Sequence, residues 1–137
     1  MSTQIFVNLP VRELPRSVAF FTALGFRFNP QFTNEKGTCM IVSENHSYVM
    51  LLAQEFFQTF TPKPVADASR STEVLLCLSC DSRAEVDAQV ARAVAAGATT
   101  PNPPQDHGFM YQHGFQDLDG HLWELVHMDM NAVPAPH

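Results

Sequence analysis

The stretch DHGFMYQHGFQDLDGHLWELVHMD, residues 106–129, decides the fold because it predicts two strands joined by a tight turn. Tyr111, His113 and Phe115 alternate with Met110, Gln112 and Gly114, which is the two-residue period of a strand that buries one face. Residues 117–120, DLDG, contain the Asp and Gly that tight reversals need. We therefore predict a β-hairpin over this stretch.

Glu124 is an acidic residue within an apolar part of the second strand. If Phe115 pairs with Leu122, then His113 lies opposite Glu124, and both share one face of the hairpin with Tyr111. A carboxylate on an apolar face costs free energy unless a partner compensates it. The compensation is either functional, through a metal, a ligand or proton transfer, or structural, through a bond to His113 or Tyr111. Both interpretations stay open at this point.

Size and charge restrict the class of protein. A chain of 137 residues that is 45 % hydrophobic can bury the core of one domain. Eight Lys and Arg residues, none of them clustered, and a net charge of −6 give no footprint for nucleic acid or an anionic membrane. No apolar run approaches the roughly 20 residues that span a bilayer, and no leader-like segment starts the chain. We expect a cytoplasmic protein.

The three cysteines do not form an even set, so a disulfide framework is not expected. Cys77 and Cys80 are spaced C-x-x-C, but they lie in residues 74–80, VLLCLSC, which predict a buried strand. A separation of three places their thiols on opposite faces of that strand. Buried core thiols are therefore favoured over a redox or metal site.

A structural repeat organises the chain. The first half predicts strand 4–9, ended by Pro10, a helix from about Pro15 to a Gly25 cap, and strands 26–32, 38–42 and 48–52. The second half predicts strand 73–80, a helix opened by the capping box of Ser82 and Glu85, a short strand at 98–100 and the hairpin. Both halves are β-α-β-β-β. We predict a single domain over 1–137, with modules at about 1–55 and 73–129, a connecting loop at 56–72 and a tail at 130–137.

Two motifs in this order carry a resemblance to a known family. Residues 11–17, VRELPRS, lead to 20–26, FFTALGF, and residues 117–125 read DLDGHLWEL. The chain resembles the vicinal oxygen chelate superfamily, which includes glyoxalase I, bleomycin- and fosfomycin-resistance proteins and extradiol dioxygenases. The resemblance covers nearly the whole chain. It implies an α+β fold in which two βαβββ modules form a curved mixed sheet around a cleft, and it implies a homodimer, for which the aromatic segment 56–60 is our candidate contact.

The resemblance also implies where a metal would be held. In enzymes of this family, His, Gln or Glu side chains from the first and fourth strands of each module bind a divalent ion. Glu124 matches one position, and the other three fall, within a residue or so, on Phe6, Leu51 and Leu75. None of these three can bind a metal, and a single carboxylate holds a hard ion weakly. We expect no cofactor; the alternative is a weakly held divalent metal at Glu124, His113 and Asn8.

Three functions remain. The first is a glyoxalase- or bleomycin-resistance-like protein that binds a small organic molecule in an apolar cleft, with Glu124, His113 and Asn8 as its polar groups. The predicted apolar lining is Phe6, Leu51, Leu75, Tyr111 and Phe115, with His107 at the mouth of the hairpin either contacting the ligand or facing water. The second is a metal-dependent glyoxalase I-like lyase in which Glu124 removes a proton beside a carbonyl and a metal stabilises the enediolate, with Glu124 and His113 as the candidate catalytic residues. The third is a non-catalytic structural homologue whose cleft is filled by its own side chains. The missing ligand set favours the first over the second, and the retained acid favours it over the third.

Overall fold

The computed structural model describes residues 3–132 and divides into two compact units between Ala66 and Asp67. Each unit has the element order β-α-β-β-β, so the predicted α+β fold of two such modules is confirmed. None of the helices within residues 3–132 is long and apolar enough to cross a membrane. Residues 133–137 of the predicted tail lie outside the described part of the chain.

Unit 1 is a four-stranded mixed sheet with one long helix. Its elements are β1 (Ile5–Val11), α1 (Leu14–Ala23), β2 (Arg27–Asn34), β3 (Gly37–Ser43), β4 (Ser47–Ala53) and the short helix α2 (Gln54–Gln58). The strand order is β1-β4-β3-β2, in which only the β1–β4 pair is parallel. Leu9, Val49 and Leu51 form the buried side of this sheet, and Phe20 and Phe21 form the buried side of α1.

Unit 2 repeats this arrangement. Its elements are β5 (Leu75–Ser79), α3 (Arg83–Ala95), β6 (Gln105–Asp106), β7 (Met110–Gln116) and β8 (Leu122–Met128). The strand order is β5-β8-β7-β6, and β5 runs parallel to β8. The side-chain hydrogen bond from Ser82 in the predicted capping box is confirmed, because the Ser82 hydroxyl accepts the Glu85 backbone N–H at 3.0 Å. Helix α3 packs on β7 and β8.

The turn between β7 and β8 is built around Asp117. Its Oδ1 accepts the backbone N–H groups of Asp119 (2.9 Å) and His121 (3.0 Å), and its Oδ2 accepts the indole N–H of Trp123 (3.0 Å). Burial outweighs these bonds and raises the pKa of the Asp117 carboxyl. Gly120 has φ +97°, and a Cβ there would meet the backbone of Ala68 and Ser69 at 2.6–2.7 Å. The turn therefore needs both its Asp and its Gly.

The predicted hairpin is confirmed, but its predicted register is wrong by one residue. His113 pairs with Leu125, Gly114 with Glu124, and Phe115 with Trp123. The backbone N–H of Asp117 donates to the His121 carbonyl (2.9 Å), so the strand pairing continues to these two residues. The loop between the strands is shorter as a result. This register stacks Phe115 on Trp123 within the core (centroids 6.3 Å apart). Since a slip of one residue reverses the faces, His113 and Tyr111 do not share the face of Glu124.

Smaller corrections concern element boundaries. Strand β1 continues past Pro10, because β1 is an edge strand and the missing N–H can lie on its unpaired side. Residues 54–58, partly within the predicted loop, form α2. The predicted strand at 98–100 is a single bridge between Thr99 and Gln116, and the strand that pairs with β7 lies instead at β6.

Strand β5 was expected to be buried on both faces, and this is wrong. Leu75 is 59 % exposed and Cys77 is exposed, whereas Leu76 and Leu78 are half-buried. The reason is that α3 covers one side of the unit 2 sheet, so alternate residues of β5 point away from it. Cys77 is consequently not a core thiol, while Cys39 is buried.

Candidate functional site

Glu124 lies in the middle of β8, on the side of the unit 2 sheet that faces away from α3. We call this side the open face. Across the sheet, Glu124 pairs with Cys77 of β5 and with Gly114 of β7. The next pair along the same face is Leu75 with Leu122. The carboxylate is thus placed in a surface whose closest strand neighbours are an exposed thiol, an exposed leucine and a glycine.

Gly114 makes room for the carboxylate. A Cβ at Gly114 would lie 3.1 Å from Oε2 and 3.2 Å from Cδ of Glu124, and it would collide with the Trp123 carbonyl oxygen. Only a residue without a side chain lets the Glu124 carboxylate rest against β7 in this way. The position of the acid is therefore fixed by its cross-strand partner.

A small recess of about 40 Å³ adjoins the carboxylate. It lies within unit 2, between the segment 101–105 and strands β7 and β8. Its lining residues are Pro101, Asn102, Pro103, Gln105, Gln112, His113, Gly114, Phe115, Leu122, Trp123 and Glu124. The Gln112 side-chain amide donates to the Gln105 side-chain carbonyl at 3.2 Å. Glu124 borders the recess from the open face, whereas the His113 side chain lies on the opposite face of the hairpin.

The Glu124 carboxylate makes no hydrogen bond or ion pair with any residue between 3 and 132, and Glu124 is only partly exposed. The structural bond to His113 or Tyr111 considered from sequence is not formed. The negative charge acts instead on Cys77: burial raises the pKa of that thiol, and the nearby Glu124 carboxylate raises it further. The acid is thus left available to a partner from outside the chain.

The side of the unit 2 sheet that faces α3 carries residues predicted to line the ligand site, and these predictions need correction. The Tyr111 hydroxyl donates to Asp87 of α3 at 2.6 Å. Phe115 is buried, with its ring stacked on Trp123. These two side chains hold α3 and the core in place. The observed register, one residue from the predicted one, places both side chains on the α3 side of the sheet, and Phe115 still borders the recess.

His107 lies in the turn between β6 and β7 and does not belong to the residues that line the recess. Its neighbour Asp106 is held by the Arg83 guanidinium through two hydrogen bonds of 2.7 and 2.9 Å. These bonds, with the Gly108 N–H, lower the pKa of Asp106 to about 2. The Arg83 guanidinium also lies 5.2 Å from the Tyr111 ring centroid. This exposed cluster ties the start of α3 to the hairpin.

In unit 1, Phe6 and Asn8 share the sheet face that points away from α1. The Phe6 ring stacks on Tyr48 (centroids 4.8 Å apart), and both Phe6 and Asn8 are exposed. Leu51 is 0 % exposed and lies on the buried side, so its assignment to the ligand site is wrong. Met50 lies on the same sheet face as its cross-strand partner Asn8, as Glu124 lies on the same face as its partner Cys77.

Comparison with known proteins places this geometry in a family. The model of the Glyoxalase/Bleomycin resistance protein/Dioxygenase superfamily matches residues 4–125. The chain belongs to this superfamily. The resemblance predicted from the two terminal motifs is thereby confirmed.

Several solved structures are similar to this chain. A hypothetical protein from S. aureus is 27% identical, with a TM-score of 0.76 over 92% of this chain and 94% of that chain. A glyoxalase-related enzyme from Fulvimarina pelagi is 22% identical (TM-score 0.76, 93% and 88% covered), and the fosfomycin resistance protein FosX from Listeria monocytogenes is 18% identical (TM-score 0.69, 96% and 98% covered). The last two likenesses show the fold alone. A search of the curated proteins found no match.

The residues present do not fit the divalent metal that many glyoxalase-superfamily enzymes use. Residues 3–132 contain no group of three His, Cys, Asp or Glu side chains that could hold an ion. Met50 is paired with Asn8 and Glu124 with Cys77, while Phe6 and Leu75 lie two positions away on β1 and β5. His113 does not join Glu124 as a donor, because the two residues lie on opposite faces of the hairpin. Hard cations need several oxygen or imidazole donors, and this donor set does not provide them.

Four residues border the Glu124 carboxylate or its recess without having been predicted as site residues: Cys77, Gln105, Gln112 and Gly114. The sequence drew attention to Cys77 only as a core thiol, and its pairing with Glu124 emerges once the register is known. A signal at Gly114 was available, since an isolated glycine inside a strand indicates a close approach. Gln105 lies in β6, which is only two residues long.

Proposed function

We propose that this protein binds a small organic molecule on the open face of unit 2, with Glu124 as its polar anchor and without an essential divalent metal. The observation that carries the proposal is a carboxylate with no partner among residues 3–132, set in a strand face next to exposed Leu75. An unpaired, partly buried carboxylate costs free energy that a bound hydrogen-bond donor recovers. Apolar walls with a few placed polar groups are the usual chemistry of small-molecule sites.

Superfamily membership supports this proposal without specifying the ligand, because one fold carries many functions. Metal-assisted lyase chemistry would need metal-binding side chains at strand positions that do not supply them in this chain. Simple binding does not need them. A glyoxalase I-like lyase would use the same carboxylate as a base toward a proton beside a carbonyl, and it would need a group that stabilises the enediolate. The open face of unit 2 offers no such group besides polar amides. We therefore favour binding, and we retain the lyase as an outcome of the test below.

The test compares wild type, Glu124→Gln and a control, Glu55→Gln, which changes an exposed acid on α2 of unit 1. Thermal unfolding is followed against a panel of aromatic amines, thiol conjugates and antibiotics. A ligand present at about 100 times its Kd stabilises the native state by about 2.7 kcal/mol, so a true ligand gives a clear shift. We expect the shift in wild type and Glu55→Gln and its loss in Glu124→Gln.

Two further measurements locate the site and test the metal. A bound ligand should protect the exposed Cys77 thiol from alkylation, since Cys77 is the cross-strand neighbour of Glu124. Protein dialysed against Ni²⁺ or Zn²⁺ and then against buffer should retain well under one equivalent of metal. Retention of one equivalent that depends on Glu124, together with turnover of the methylglyoxal–glutathione hemithioacetal, would replace our proposal by the lyase. A panel with no stabilising compound would refute ligand binding as proposed.

A further inference from the structure

The recess beside Glu124 offers hydrogen-bond acceptors and little positive charge. The Gln112 amide nitrogen is used by Gln105, which leaves the Gln112 side-chain carbonyl oxygen without a hydrogen-bond partner within residues 3–132. The Glu124 carboxylate lies next to this site, against Gly114. Of the residues that line the recess, none is Lys or Arg. Two acceptor groups, one of them charged, thus border a recess into which no Lys or Arg among the described residues extends.

Of the three arginines of unit 2, Arg83 and Arg92 are engaged elsewhere, and Arg70 is not among the residues that line the recess. Arg83 is bound to Asp106 and to the Gly108 carbonyl, and Arg92 is bound to Glu85 and Gln89 on α3. Both lie away from the open face. A chain of net charge −6 adds to the negative potential that an incoming ligand meets. An anionic ligand group would be repelled here, while a cationic donor would be attracted.

The recess, of about 40 Å³, has room for a compact head group. A primary ammonium has three N–H donors on one atom, which match the carboxylate and the free amide oxygen. The neighbouring surface, with Leu122 beside exposed Leu75, suits an apolar body attached to that head group.

We infer that the ligand of this protein is an amphipathic primary amine, whose ammonium enters the recess between Glu124 and Gln112 while its apolar body lies along Leu122 and Leu75. This inference rests on the proposed function and names the chemical class of its ligand. It makes Gln112 a specificity residue, because its side-chain oxygen accepts a donor that a neutral or anionic analogue lacks. Gly114 acts as a positioning residue, since it allows the carboxylate to reach the recess.

The test uses three probes with one apolar body: phenylpropylamine, phenylpropanol and phenylbutyrate. Each is titrated by calorimetry into wild type, Glu124→Gln, Gln112→Leu and the control Glu55→Gln. All titrations are run in one buffer at one pH. Amide chemical shifts of Gly114 and Gln112 report whether binding occurs at the recess.

We expect the amine to bind wild type about tenfold more tightly than the alcohol, with the carboxylate weakest. Glu124→Gln should remove this preference and leave the affinity of the alcohol nearly unchanged, whereas Glu55→Gln should keep it. Gln112→Leu should reduce the preference in part.

Two results overturn the inference. If the alcohol or the carboxylate binds wild type as tightly as the amine, the amine class is wrong, and the small-molecule site at Glu124 stands on the results of the wider panel. If the amine preference persists in Glu124→Gln, or the shifts lie away from Gly114 and Gln112, the recess is not the ammonium site. Binding of none of the three probes also refutes the inference, and the wider panel then decides the proposed function separately.

Discussion

Replacing Asp117 by Ala should destabilise the protein by about 3 kcal/mol. The substitution removes the acceptor of three hydrogen bonds, from Asp119 N–H, His121 N–H and the Trp123 indole. The indole belongs to a residue that is only 1 % exposed, so its loss of this acceptor costs about 1–3 kcal/mol. The two turn bonds add about 1 kcal/mol each. Part of the total is offset because the buried carboxylate, whose pKa is raised, no longer has to be desolvated.

The matched control is Asp117→Asn, which keeps one carbonyl oxygen for the turn but offers an amide group as the second atom. If the oxygen stays on the two backbone donors, an N–H group faces the Trp123 indole, and the loss should be about half that of Ala. Urea unfolding at pH 7 measures both variants, with an unchanged m-value as the condition for comparison. Equal losses for Ala and Asn, or a loss below about 1 kcal/mol for Ala, would refute our account of this turn.

Three further predictions concern unit 2. The pKa of Asp106 should be about 2, so its contribution to stability is fully present above the ordinary carboxyl pKa of 3.8 and is lost as the pH falls toward 2. The substitution Arg83→Gln should return this pKa, measured by NMR titration, toward 3.8. Gly114→Ala should cost about 1–3 kcal/mol in urea unfolding, and Glu124→Ala should not rescue it, because the new Cβ still meets a backbone carbonyl. Glu124→Gln should lower the pKa of Cys77 and shift the pH profile of its alkylation to lower pH, whereas an unchanged profile would contradict their proximity.

The element order could be predicted because its signals are local. The capping residues at Ser82 and Glu85, the turn residues 117–120 and the alternation along β7 each depend on a few neighbouring residues. Two β-α-β-β-β halves then follow from counting elements. The terminal motifs added the family, which the match over residues 4–125 confirms.

The faces of the strands could not be predicted, because each depends on a register that is set by nonlocal packing. A loop shorter by one residue pairs Phe115 with Trp123 and moves His113 off the face of Glu124. A shift of one residue also decides whether Met50 or Leu51 lies on the face of Asn8. In the structure it is Met50, and Leu51 is fully buried. Similarly, an apolar run such as 74–80 does not reveal from sequence whether one or both of its faces are covered.

The parallel pairing of β5 with β8 joins the two ends of unit 2, since Leu75 and Leu122 lie side by side although 47 positions separate them in the chain. A molecule that touches both strands therefore bridges the first and last strands of the unit, and it can bind only while the strands between them are folded. Its binding energy opposes cooperative unfolding of the whole unit rather than fraying of one hairpin. Amide hydrogen exchange in α3, which lies on the other side of the sheet, should consequently slow when a ligand occupies the open face.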